Sequence, residues 1–96
     1  MTNTALTIRR ATAADAFALR RLAAIDSASP PTGEVLLAEM DSELWAAVAV
    51  DTGDAIADPF RPSADLVELL RFRAERIRDD EHAHRGAFAR LLPRAA

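Results

Sequence analysis

Two apolar runs lie almost end to end, Glu34–Met40 ("EVLLAEM") and Leu44–Val50 ("LWAAVAV"), with only Asp41, Ser42 and Glu43 between them. A connection that short joins antiparallel neighbours, so the pair reads as a β-hairpin. Neither strand alternates cleanly between apolar and polar residues. A sheet open to water on one side would show that alternation, so this sheet is expected to be covered on both faces. The rest of the chain must supply the cover.

The flanking segments match that need. Leu6–Arg10 ("LTIRR") reads as a short first strand. Thr12, three residues before Asp15, is close to a capping box and starts a helix over about Ala13–Ile25. Its apolar stripe is Ala18, Leu22 and Ile25, with Leu19 beside it. Asp26–Gly33 ("DSASPPTG") is a loop by composition. After the hairpin, Thr52 and Gly53 mark a turn. Asp54–Asp58 is a short strand stopped by Pro59. Ser63 then caps a second helix to about Arg78, with Asp65 in its first turn. Leu66, Leu70, Ala74 and Ile77 form that helix's buried stripe, widened by Val67 and Leu69. Glu68–Arg71, Arg71–Glu75 and Glu75–Arg78 are spaced for ion pairs on its wet side. The predicted order is β-α-β-β-β-α, an α+β domain. It has a mostly antiparallel four-stranded sheet and a helix on each face. Residues 1–78 form the domain. Residues 79–96 read as a polar C-terminal tail with a possible short helix around Phe88, Leu91 and Leu92.

Composition narrows the function classes. The chain has 96 residues, half of them apolar, enough for one small core. All 12 basic residues are Arg, against 15 acidic ones, for a net charge of −3. An acidic balance argues against a general nucleic-acid partner. There is no cysteine, hence no disulfide, thiolate nucleophile or zinc–thiolate site. The N-terminus lacks the pattern of a signal peptide. No apolar run approaches the roughly 20 residues of a membrane span. The expectation is a cytoplasmic protein with no membrane partner.

Three segments in order, "IRRATAAD" (Ile8–Asp15), "VLLAEMDSELWAAVAV" (Val35–Val50) and "IADPFRPSADLVELL" (Ile56–Leu70), resemble the first half of the GNAT-type N-acetyltransferase fold. The resemblance covers roughly Leu6–Arg78. It implies that the corner between the fourth strand and its helix holds the pyrophosphate of acetyl-CoA, so Arg61, Ser63 and Ala64 become the candidate cofactor-binding residues. The family's corner carries spaced glycines, through which backbone N–H groups reach phosphate. Here Arg61 is followed by Pro62, Ser63, Ala64 and Asp65. Pro62 lacks an N–H, Ala64 adds a Cβ, and Asp65 adds a negative charge. The segment after Arg78 is also short and polar for the strands and helix that complete the family's cofactor slot. The chain contains no Tyr to act as a general acid.

Other candidates have plainer readings. Asp15 reads as helix N-terminal chemistry, and Asp54 and Asp58 as turn residues. Trp45 reads as packing, not as a platform for a ligand. Glu81, His82 and His84 have spacing unsuited to a closed metal site and read as a solvated turn or helix start. Phe60, at the corner, reads as a hydrophobic plug or an interface anchor.

These features favour a non-catalytic GNAT-like domain acting in protein association, most simply as a homodimer, with no catalytic residue, metal or cofactor expected. The expected contact is the exposed edge of the fourth strand, Ala55–Asp58, with Phe88, Leu91 and Leu92 available to cover it. The alternative is an acetyl-CoA-dependent N-acetyltransferase, or an acetyl-CoA-binding remnant, completed by another chain. A third reading is a regulatory or antitoxin-like partner of another protein, contacting it through the polar tail and the Arg-rich helix face.

Overall fold

The computed structural model describes residues Ala5–Leu91, with side chains through Ala83. Strand β1 spans Leu6–Arg10, and a single 3₁₀ turn at Ala13–Asp15 leads into helix α1, Ala16–Ile25. Strands β2 (Val35–Met40), β3 (Glu43–Ala49) and β4 (Ala55–Ala57) follow, then helix α2, Ala64–Leu91. The strands lie in the order β1-β2-β3-β4, every neighbour antiparallel. The α+β architecture expected from the sequence is therefore present, with one helix on each face.

The lack of polar alternation in the hairpin has its explanation in two cores. Leu19, Leu22 and Ala23 of α1 pack on Val35, Leu37, Ala47 and Ile56. Leu70 and Ala74 of α2 pack on Leu36, Ala38, Ala46, Val48 and Val50 on the opposite face. Successive residues of β2 and β3 thus point into different cores, so both sets are apolar. Small residues at Ala38, Ala46 and Ala47, all fully buried, let the helices approach the sheet closely. Leu70 is among the largest fully buried side chains. The α1 stripe is centred on Leu19, Leu22 and Ala23; Ile25, expected inside it, is 38% exposed.

The hairpin turn is tighter than expected. Asp41 and Ser42 both have positive φ, 50° and 70°, as a two-residue type I′ turn requires. The Asp41 carboxylate also accepts the Ala5 N–H at 2.9 Å, fastening the start of β1. Between Ala38 and Glu39 the β2–β3 register shifts, so Trp45 is the extra residue of a β-bulge. The bulge carries Leu44 to the α1 face, where it packs on the first core.

Two expectations about α2 require correction. The helix does not stop near Arg78; it runs on through Glu81, His82 and His84 to Leu91. Nothing between Arg78 and Leu91 breaks a helix except Gly86, and a single Gly costs only about 1 kcal/mol. The proposed separate tail is therefore helix up to that point, and Leu92 lies outside the described residues. The anticipated Glu–Arg pairs on α2 are also absent among the described residues. Arg71 instead donates to the Gly53 carbonyl (3.1 Å) and Arg78 to the Asp51 carbonyl (3.2 Å). Both side chains thus tie α2 to the β3–β4 turn. No described helix is long and apolar enough to cross a membrane.

The two sheet edges are unequal. Hydrogen bonds from Asp41 N–H to the Ala5 carbonyl and from Ala11 N–H to the Val35 carbonyl fix the β1–β2 ladder. Alternation along that ladder leaves the backbone groups of Leu6, Ile8 and Arg10 facing outward. On β4, the bonds Asp58 N–H to Trp45 carbonyl and Ala49 N–H to Asp54 carbonyl leave only Ala55 and Ala57 facing outward. The Ala57 N–H is already taken by the Asp26 carboxylate, at 3.1 Å.

Candidate functional site

Arg61, Ser63 and Ala64 do come together at the corner between β4 and α2, but the polar groups of the Arg61 and Ser63 side chains are already bonded within the chain. Asp58 organises the corner. Its carboxylate accepts the Phe60 N–H (2.9 Å) and the Arg61 Nε (3.2 Å). Its carbonyl accepts the Ser63 hydroxyl at 2.9 Å. Ser63 is buried. It stands at the N-cap position, as its residue type suggests, yet its hydroxyl closes the corner instead of facing a ligand. Ala64 is exposed and is the first residue of α2.

The Arg61 guanidinium is engaged on three sides. One nitrogen pairs with Glu43 at 2.8 Å and another with Asp58 at 3.2 Å. Its carbon lies 4.9 Å from the centre of the Trp45 ring, a cation–π distance. In the sequence Glu43 reads only as part of a hairpin tip. Its place beside Arg61 depends on a contact between distant segments that carries no local sequence signal. Trp45 is half-buried, and its indole Nε1 is buried with no hydrogen-bond partner among the described residues. Phe60, by contrast, is 86% exposed and plugs nothing among the described residues.

Beside the corner lies a cleft of about 260 Å³. Ala18, Leu22, Ile25 and Leu44 form its apolar wall, and Arg21, Glu43, Asp58 and Arg61 its polar rim. Arg21 makes no ion pair or hydrogen bond among the described residues. The bulge at Trp45 shapes this cleft by turning Leu44 into it.

The side chains of the corner suit a pyrophosphate poorly. Arg61 is bound by two carboxylates, the Ser63 hydroxyl is committed to Asp58 and Pro62 has no N–H, which leaves the backbone N–H groups at the start of α2 as the donors. Glu43, Asp58 and Asp65 would all face the added negative charge. At about 4 Å each such contact costs on the order of 1–4 kcal/mol.

The other charged constellation is structural. Arg9 grips Asp15 with two hydrogen bonds (2.7 and 2.9 Å) and Glu39 with a third (2.6 Å). The Asp15 carboxylate also accepts the Thr12 N–H at 2.7 Å. Hydrogen bonds from Arg9, then from Thr12, hold the Asp15 carboxyl well below the usual carboxylate range. The same pairs, to Asp15 first and then Glu39, raise the Arg9 guanidinium further. Asp15 thus serves the helix start, as its position suggested, and ties it to β1 and β2. Among the described residues no cluster of three His, Asp or Glu side chains could hold a metal ion.

Compared with protein-family models, curated proteins and solved structures, the chain matches none.

Proposed function

We propose that this chain is a non-catalytic GNAT-like domain whose role is protein association, most simply with a second copy of itself. The observation that carries this reading is the open edge of β1, where the outward backbone groups of Leu6, Ile8 and Arg10 pair with no strand and only the Arg10 carbonyl has a side-chain partner, Arg9 Nη1 at 3.3 Å. Such an edge is a template for another strand. The corner that the GNAT resemblance assigns to acetyl-CoA supports the non-catalytic part. Its one arginine is neutralised by Glu43 and Asp58 and stacked on Trp45.

The test has two arms. Light scattering after gel filtration at tens of micromolar is expected to give twice the chain mass; a clean monomer counts against self-association. A thermal-shift titration with acetyl-CoA is expected to leave the melting temperature unchanged. A saturable rise of several degrees would restore the cofactor-binding reading, because ligand at about 100 times its dissociation constant adds about 2.7 kcal/mol.

A further inference from the structure

We infer that two copies of this chain pair through β1, antiparallel about a two-fold axis at Ile8, joining their sheets into one of eight strands. This rests on the self-association reading and names its surface. The fourth strand, favoured by the sequence alone, is the poorer edge. It is three residues long, its Ala57 N–H is occupied by Asp26, and Pro59 follows closely. A strand arriving there would have to displace the Asp26 carboxylate.

The β1 edge is less obstructed: its outward Arg10 carbonyl accepts Arg9 Nη1 at 3.3 Å, but a carbonyl can accept a second hydrogen bond, and no outward N–H of Leu6, Ile8 or Arg10 has a partner among the described residues. It is five residues long, and its outward groups at Leu6, Ile8 and Arg10 all lie on alternate positions, as a ladder requires. A two-fold axis at Ile8 sets Ile8 opposite its own copy. Leu6 then faces Arg10 of the second copy, and Thr7 faces Arg9. No arginine faces an arginine in this register, so the like-charge penalty of directly opposed residues is avoided.

The charges that would ordinarily protect such an edge are already held within the chain. Arg9 is bound by Asp15 and Glu39 on the α1 face. Arg10 lies 2.9 Å from Glu34. Exposed, unpaired charges are a common device against edge pairing, and here they are neutralised. Leu6, 42% exposed, and the half-buried Ile8 share the α2 face of β1. A second copy's Ile8 and Leu6 would extend that apolar strip.

The full chain tests this directly, because it contains no cysteine. Ile8→Cys introduces the only thiol. Hydrogen-bonded antiparallel neighbours have Cα atoms about 5.5 Å apart, within the roughly 4.4–6.8 Å range of disulfides. Mild oxidation should convert most of Ile8→Cys to a covalent dimer, and at least about tenfold less of Phe72→Cys, which sits on the exposed face of α2. Leu6→Pro is the second variant. The Leu6 N–H points away from β2 and has no hydrogen-bond partner among the described residues, so proline removes none of the bonds of the sheet but blocks the outer ladder. It should run as a folded monomer, with unchanged circular dichroism, where the wild type runs as a dimer. A wild-type dimer that persists in Leu6→Pro, or Ile8→Cys that cross-links no more than Phe72→Cys, overturns the β1 interface and leaves self-association standing. A monomeric wild type overturns both.

Discussion

Asp26, just past the end of α1, accepts the N–H of Ala57 on β4 at 3.1 Å, across 31 residues of sequence. One carboxylate thereby joins the end of a helix to the outer side of the sheet. It also fills the position that a foreign strand would use.

Asp26→Ala should therefore do two things. A lost hydrogen bond to a charged acceptor costs about 1.5–3 kcal/mol, less where water can replace it as at this edge. A 1 kcal/mol loss lowers the melting temperature of a domain this size by roughly 4–8 °C. The bared edge should also yield species larger than the wild-type assembly in gel filtration. A cooler melt without larger species would show that β4 is too short to recruit a strand even when open.

Ser42→Gly should stabilise the fold. Ser42 sits at φ 70° in the hairpin turn. The left-handed region costs a residue with a Cβ about 1–2 kcal/mol, and glycine returns part of that gain as chain entropy. A net gain of about 0.5–1 kcal/mol is expected. Urea unfolding should show a higher midpoint at unchanged slope. A lower midpoint would mean that the Ser42 side chain matters to the turn.

The Arg9–Asp15 pair makes stability depend on acid pH. Asp15 titrates lower in the folded chain than its ordinary 3.8. Its contribution is thus fully present above about pH 4 and is lost as pH falls from there toward the depressed folded value. Asp15→Asn removes the charge that Arg9 grips and weakens the reach back to Thr12. It should cost about 1 kcal/mol at neutral pH, in the range of a lost helix cap. Its unfolding free energy should also fall less steeply than the wild type's below pH 4. Parallel curves for the two proteins would place the acid sensitivity on other carboxylates.

The fold was legible where local pattern determined structure. Alternation and turn residues placed β1 at Leu6–Arg10, and Thr12 with Asp15 marked the start of the first helical segment. The hairpin's doubled apolar character followed from its two buried faces. What sequence left hidden depended on distant contacts. The bulge at Trp45 is set by packing of Leu44 against α1, and the β4 edge is capped from a loop 31 residues away. At the corner, the sequence offers Arg61, Ser63 and Ala64 only as candidate cofactor-binding residues; the contacts of Arg61 with Glu43 and Trp45 come from another element and leave no local signal. The end of α2 is not legible in the polar composition after Arg78, because a long helix tolerates a wholly solvated face.

Trp45 is the only tryptophan, so its emission reports on Arg61 directly. Arg61→Ala removes a cation–π contact of about 0.5–1 kcal/mol and two partly exposed ion pairs of about 0–1 kcal/mol each. The emission should change in intensity and position, with a stability loss of about 1–2 kcal/mol. Arg61→Lys keeps the charge but loses the planar fork and most of the stacking, so it should resemble Arg61→Ala in emission while recovering part of the stability. Salt separates the contributions further, because the screening length falls to about 3 Å at 1 M. Wild-type stability should drop slightly in salt, while the stacked geometry and its emission persist. If acetyl-CoA altered Trp45 emission in the wild type and not in Arg61→Ala, Arg61 would have to leave Glu43 and Asp58 for phosphate. The corner would then be a binding site after all, and the non-catalytic reading would lose its support.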